Sequence, residues 1–245
     1  MITSKQNKKL KELNKIIDQK CSDNSLYALE GFTIFEEAIR ENVEIVDVYV
    51  SESAENEFRS RYNQLYTTVK DDILRSLSKT KTGKDIIFVV KKPSKINIKE
   101  INDELVLLLD FLQDPGNMGT IIRTADAFGI KNILTVNNCV NVYNEKVLRS
   151  TMGSIFRVNV TSIELDDLRS LIERGYKLIS TSPNGEKIKK FNSKIILALG
   201  NEANGVSEEV FRESFKRVKI PMKGKTESLN VAIAAGISIY IMTEE

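Results

Sequence analysis

Three stretches of this chain concentrate side chains that could do chemistry. Residues 110–129 read DFLQDPGNMGTIIRTADAFG and carry Asp114, Asn117 and Arg123; Gly200 to Gly205 carries Glu202 among amides; and Pro221 to Thr226 runs into Ser228 and Asn230. The 245 residues contain no histidine, which removes the most common general base, triad partner and metal ligand. Any catalysis must use other groups. Metal-assisted hydrolysis would want clustered acids, whereas these loops offer Asp114 and Glu202 in a surplus of amides and hydroxyls. A nicotinamide site at the first loop would need G-x-G-x-x-G and an acid at the end of the next strand. That loop supplies Gly116 and Gly119 alone, and the next strand runs out into Asn137 and Asn138. No phosphate-binding G-x-x-x-x-G-K-[ST] occurs either.

The elements that must position these residues are strands and helices in alternation. Leu105 to Leu109 is an aliphatic block with the length of a buried strand, and the apolar spacing then turns helical through Ile121, Ile122, Ala125 and Phe128. Asp114, Pro115 and Gly116 make the intervening turn. In α/β proteins ligands sit where such loops open, at the carboxyl ends of strands. Further strands are expected at Asn132 to Val136, Arg157 to Val160, Lys177 to Ser180, Ile195 to Leu199 and Arg217 to Ile220. Helices are expected near Asn144 to Ser150, over Leu165 to Arg174, after the capping Ser207, and from Glu227 or Ser228 to about Met242.

Upstream, Met1 to about Lys20 reads as a basic amphipathic helix with Leu10, Leu13, Ile16 and Ile17 on one side. Strands follow at Ser25 to Glu30, Ile45 to Val50, Leu65 to Val69 and Ile86 to Val90. Helices follow Gly31, where Thr33 and Glu36 have capping-box spacing, and occupy Glu52 to Tyr62 and Asp71 to Leu77. This alternation predicts a small three-layer α/β unit. Lys91 to Asp103, KKPSKINIKEIND, is the linker candidate, giving domains over 1–98 and 99–245.

The formal net charge is +2, too small for a polyanion argument from the total alone. Basic residues are nevertheless gathered at Met1 to Lys20 and Lys70 to Lys99, where they could be solvated faces or phosphate contacts. Cys21 and Cys139 stand far apart, outside any disulfide framework or zinc pattern. Val231 to Met242 is too short to span a bilayer, and the N-terminus lacks a signal-peptide core. A cytoplasmic, soluble protein without membrane or metal partners is expected.

Taken together, NMGTIIRTADAFG (117–129), LGNEANGVS (199–207) and IPMKGKTESLNV (220–231) resemble motifs one, two and three of the SpoU family of SPOUT methyltransferases. The resemblance implies transfer of a methyl group from S-adenosylmethionine to a ribose 2'-hydroxyl in RNA. It implies an α/β fold in which a C-terminal SPOUT domain, a parallel sheet with helices on both faces, carries a deep trefoil knot. It also implies a homodimer. Leu29-Glu30-Gly31, Glu36-Glu37-Ala38 and Gly83 to Val90 are similar to the small RNA-binding domain of ribosomal-RNA members, so ribosomal RNA is favoured over transfer RNA. A non-catalytic RNA-binding protein is the alternative from another class.

By the family's pattern, Leu199, Gly200, Ile220, Met222, Ser228, Leu229 and Asn230 lie at the cofactor, while Asn117, Arg123, Glu202, Ser228 and Asn230 form the catalytic set. The family's arginine of motif one is Arg123, implied to act at the ribose as general base or phosphate clamp. A guanidinium, with an ordinary pKa above ~12, keeps its proton at neutral pH, which favours the clamp.

Overall fold

The computed structural model describes residues 1–20, 25–78, 85–94, 96–201, 204–226 and 228–244. Two compact units form, one of Met1–Ser94 with Tyr143–Arg149, the other of Lys95–Val142 with Ser150–Glu245.

The first unit runs α1 (Lys8–Ile17), β1 (Leu26–Glu30), α2 (Phe32–Arg40), β2 (Ile45–Ser51), α3 (Glu55–Arg61), β3 (Thr67–Val69), α4 (Asp71–Leu77) and β4 (Ile86–Lys91). Asn7 caps α1 by accepting from Lys9 N, and Leu10, Leu13 and Ile16 are its buried stripe. The sheet order is β1-β4-β2-β3, with β4 antiparallel to both neighbours and β2 parallel to β3. Successive strand side chains face opposite ways. On β4, Ile87 and Val89 pack with Leu10, Leu13, Ile73 and Leu74 of α1 and α4. Phe88 instead meets Phe35 of α2, which in turn meets Phe58 of α3. Helices therefore cover both faces, as the alternation predicted. The capping box does not form. Gly31, at φ +101°, is the N-cap of α2 and has no side chain to bond, while Thr33 lies inside the helix. A positive φ suits glycine and takes the sharp turn out of β1.

The second unit runs β5 (Leu105–Asp110), α5 (Pro115–Ala127), β6 (Asn132–Val136), α6 (Glu145–Thr151, shared in sequence with the first unit), β7 (Asn159–Ser162), α7 (Leu165–Glu173), β8 (Lys177–Lys187), β9 (Ile195–Leu199), α8 (Glu208–Glu213), β10 (Lys216–Lys219) and α9 (Val231–Thr243). Its six strands are all parallel, in the order β10-β8-β9-β5-β6-β7. β5, β6 and β9 are buried along their whole lengths, the pattern of parallel strands covered on both faces. Val106, Leu108, Ile196 and Ala198 pack with Leu168 and Leu171 of α7 and Val210 of α8. The chain leaves β5 toward β6 on one side and returns to β9 on the other. The carboxyl ends of β5 and β9 thus flank the switch point, where α/β sheets open a crevice.

Several boundaries differ from the sequence expectation: α1 begins at Lys8 rather than at Met1, Ile2 instead bridging Val69, and β3 begins at Thr67 rather than at Leu65. β8 extends to Lys187, because β10 pairs first with Ile179 and Ser180 and then, after a register break, with Glu186 and Lys187; Pro183 and Gly185 hide that continuation from any periodicity. β7 begins two residues late, since Arg157 N and Val158 N both donate to Ser154 O and close a tight turn there. The last helix starts at Val231, with Asn230 as its N-cap and Ser228 outside it.

Asp126 of α5 receives Arg157 Nε at 3.1 and 3.0 Å and Nη2 at 2.8 Å. Burial pushes this carboxyl up, but the bonds from Arg157 and Ser154, with the charge of Arg157, outweigh it and hold the carboxyl below its ordinary value. A depressed folded pKa stabilises at pH values above the ordinary carboxylate range, and that contribution fades as pH falls through the folded value. Asp126→Asn should therefore cost about 1–2 kcal/mol near neutral pH. In urea unfolding, the gap between variant and parent should narrow as pH drops below ~4.

Candidate active site

A buried carboxylate organises the switch point. Asp110, at the last position of β5, is 0% exposed. It accepts from Asn137 Nδ2 at 2.8 Å and from Ser207 N at 2.7 Å. Asn137 Nδ2 also reaches Ser207 Oγ at 3.2 Å, and that hydroxyl accepts from Val210 N as the N-cap of α8. The ends of β5 and β6 and the start of α8 are thus joined through one anion, with hydrogen bonds offsetting its burial. Next to it, Phe111, Asn137 and Asn138 adopt left-handed backbone, at φ +56°, +54° and +55°, and Asn201 Nδ2 donates to Phe111 O at 3.1 Å.

Beside this network lies a cavity of about 390 Å³. Leu199, Gly200, Ile220, Met222, Ser228 and Leu229 line it. Its other walls come from Thr181, Ile188, Val218, Val231, Ala234 and Ser238. Asn201 and Gly205 close the loop after β9 on themselves through two backbone bonds of 2.9 and 2.8 Å. That closure brings the Gly205 carbonyl within 2.1 Å of where a Cβ on Gly200 would stand. Only glycine fits there. On the rim, Lys219 lies directly across from Lys187 in the β10–β8 ladder.

Asn117 and Asn230 meet: Asn230 Nδ2 donates to Asn117 Oδ1 at 3.0 Å. Each is set by a helix start. Asn230 Oδ1 caps α9 by accepting from Ala232 N and Ile233 N, and Asn117 N donates to Asp114 Oδ1, the N-cap of α5, at 2.8 Å. Arg123 sits further along α5, exposed and with no ion pair among the described residues. Asn117, Arg123 and Asn230 do not line the cavity, so of the residues expected at the cofactor Asn230 alone stands outside its wall. Glu202 lies outside the described residues. Of the described residues, none come together in a His, Cys, Asp or Glu group able to hold a metal.

The SpoU rRNA Methylase family model matches residues 104–240, which span the whole of this sheet and its loops. The chain belongs to the SpoU rRNA Methylase family. Among its relatives is the 23S rRNA (guanosine(2553)-2'-O)-methyltransferase RlmP of Bacillus subtilis, 30% identical across 98% of this chain and 97% of that protein. The fold is shared with the AdoMet-bound rRNA methyltransferase from Sinorhizobium meliloti (TM-score 0.85, 24% identity, 98% of this chain and 95% of that one). It is shared equally with the SpoU methyltransferase AviRb from Streptomyces viridochromogenes in complex with AdoMet (TM-score 0.85, 22% identity, 97% of each chain).

Sequence reading of this SpoU chain missed the cavity walls supplied by β8 and α9. Thr181 and Ile188 were invisible because β8 seemed to end at Ser180, and Ala234 and Ser238 read as interior positions of a uniformly apolar helix. The interruption of that apolar run by Ser238 was the available signal. Gly200→Ala should displace the loop after β9, costing about 1–3 kcal/mol as an overpacked site does. Chemical denaturation measures the loss, and an undisturbed Gly200→Ala protein would contradict the close approach.

Proposed function

We propose that this chain is an enzyme that transfers a methyl group from S-adenosylmethionine to a ribose 2'-hydroxyl of ribosomal RNA. The observation that carries the reading is the convergence of all three loop motifs at one crevice: motifs two and three wall a single cavity, and the Asn230–Asn117 bond ties motif one to it. The cavity suits the cofactor. Its volume lies in the range of small-molecule sites, its inner wall of Ile188, Val218, Val231 and Ala234 is apolar, and the bare Gly200 backbone permits close approach of a ligand. The two AdoMet-bound enzymes of the same fold support the same cofactor.

When bound, S-adenosylmethionine supplies an electrophilic methyl group. The residues around it have to hold it and present the ribose in line. Leu199, Gly200, Ile220, Met222 and Leu229 hold the cofactor, with Ser228 and Asn230 beside it. Asn117 and Asn230 brace each other and orient the target nucleotide, and Glu202 belongs to the same set. Arg123, exposed and without an ion-pair partner among the described residues, would grip an RNA phosphate and stabilise oxyanion character at the hydroxyl, whose proton would pass to solvent as the methyl–sulfur bond breaks and S-adenosylhomocysteine leaves. Lys187 and Lys219, like charges held opposite each other at an energetic cost, are relieved by a second phosphate.

Ribosomal RNA is favoured because the similarity to RlmP runs through the upstream unit as well. That unit, over 1–98, takes the role of RNA-binding domain for the methyltransferase domain over 99–245. The trefoil knot belongs to the same reading: the chain passes from β10 at the sheet edge back to α9, packed on α5. The homodimer does too. α9 is apolar on all sides, with Ile233 54% and Tyr240 51% exposed, and Phe128 meets Tyr240; such a helix calls for a partner. A cytoplasmic location suits the RNA substrate, and no helix among the described residues is long and apolar enough to cross a membrane.

Calorimetry with S-adenosylmethionine tests the reading, and absence of binding at millimolar cofactor would overturn it. Alkali-resistant linkages appearing in ribosomal RNA incubated with protein and cofactor would identify the nucleotide; if they appear in transfer RNA instead, the substrate assignment fails. Arg123→Lys should lower turnover by ~10²-fold with cofactor affinity unchanged, since a single ammonium cannot grip bidentately. Ile233→Glu should shift the protein from dimer to monomer in sedimentation velocity.

A further inference from the structure

The hydroxyl of Ser238 is out of keeping with its surroundings. It sits on α9 at 0% exposure, in the lining of the cavity, and its Oγ has no hydrogen-bond partner among the described residues. A serine or threonine inside a helix can donate back to the carbonyl four residues earlier. Thr120, Thr124 and Thr243 all do this in the same unit, with bonds of 2.8, 2.9 and 2.9 Å. Ser238 does not, although Ala234 supplies such a carbonyl. A buried hydroxyl left unpaired is destabilising, and alanine would fill the same space without that cost. The other hydroxyls of the cavity differ: Thr181 donates to Ala198 O at 3.1 Å, while Ser182 and Ser228 reach solvent.

We infer that Ser238 is a ligand-reading group, and that its hydroxyl hydrogen-bonds the edge of the purine ring of the bound cofactor. The inference rests on the cofactor reading above and adds to it a contact made by a side chain. A purine is a flat apolar body with a polar edge. Ile188, Val218, Val231 and Ala234 offer that body an apolar wall, and Ser238 is the one fully buried hydroxyl among the described lining residues. Being both donor and acceptor, it can serve a ring nitrogen or the exocyclic amine. The pairing that the empty protein lacks is completed by the ligand, so that binding removes an unfavourable buried group as well as making a bond.

The test compares parent, Ser238→Ala and Ser238→Cys for binding of S-adenosylhomocysteine by calorimetry, with thermal unfolding of the ligand-free proteins alongside. Ser238→Ala should raise the ligand-free melting temperature by ~2–4 °C and weaken S-adenosylhomocysteine about tenfold, with Ser238→Cys between the two. A merely structural serine would not change affinity in the direction opposite to stability. The deaza analogues at each ring nitrogen and the analogue lacking the exocyclic amine then locate the contact: one of them should lose about tenfold on the parent and nothing on Ser238→Ala. Equal affinity of parent and Ser238→Ala for S-adenosylhomocysteine would overturn the inference while leaving the cofactor reading intact. A lowered melting temperature for Ser238→Ala would also overturn it, since the hydroxyl would then have a partner in the empty protein. Failure of the parent itself to bind would instead sink the cofactor reading beneath it.

Discussion

The candidate site depends on a single buried anion. Asp110 ends β5 with both carboxylate oxygens occupied, one by the side chain after β6 and the other by the amide that opens α8. A carboxylate removed from water is tolerated only when such bonds surround it. It therefore fixes the geometry of whatever donates to it. The loops around the switch point are long and polar, with no regular ladder of their own, and this shared anion gives them a common origin. Around it stand the left-handed backbone at Phe111 and Asn137, the bond from Asn201 to the Phe111 carbonyl, and the loop that folds over Gly200.

The chemistry of the crevice is that of a chain without histidine. Amides and hydroxyls dominate its loops, an exposed cation stands on α5, and the cavity beside them has an apolar wall. Under the proposed function such a site works by holding two reactants in line, a contribution that can be large for a displacement reaction. Its cations carry no tight intramolecular ion pairs: Arg123 and the Lys187–Lys219 pair have no carboxylate partner among the described residues. By contrast Arg157, used for architecture, is bound bidentately to Asp126. The two kinds of basic residue differ in solvation and partner: Arg157 serves the fold, while the cations around the crevice are open to solvent.

Much of the fold was legible because its signals are local. The buried strands β5 and β9 announce themselves as aliphatic runs, and the amphipathic stripe of α1 by its spacing. Membership of the SpoU family was legible in three short loops, because close approach and helix capping restrict which residues can stand there. What escaped was non-local. The second half of β8 exists only because β10 resumes pairing at Glu186 after a break, which no window of sequence contains. The cap of α2 at Gly31 looked like a capping box because Thr33 and Glu36 have the right spacing but the wrong phase. Ser238 gives one local signal, a hydroxyl that interrupts an apolar run, but a helix apolar on every side has no period to tell which wall that hydroxyl faces.

The Asn230–Asn117 contact has a further consequence. The two oxygens of this pair are both committed, Asn230 Oδ1 to the first amides of α9 and Asn117 Oδ1 to the Asn230 nitrogen. An amide side chain can be turned over only by exchanging donor for acceptor, and here either exchange would set donor against donor. The helix end thus imposes a direction that passes through two side chains like a sign carried along a wire. The nitrogen of Asn117 is thereby turned away from Asn230 with donor polarity, and replacing either asparagine by aspartate would reverse that polarity without changing the shape of the site.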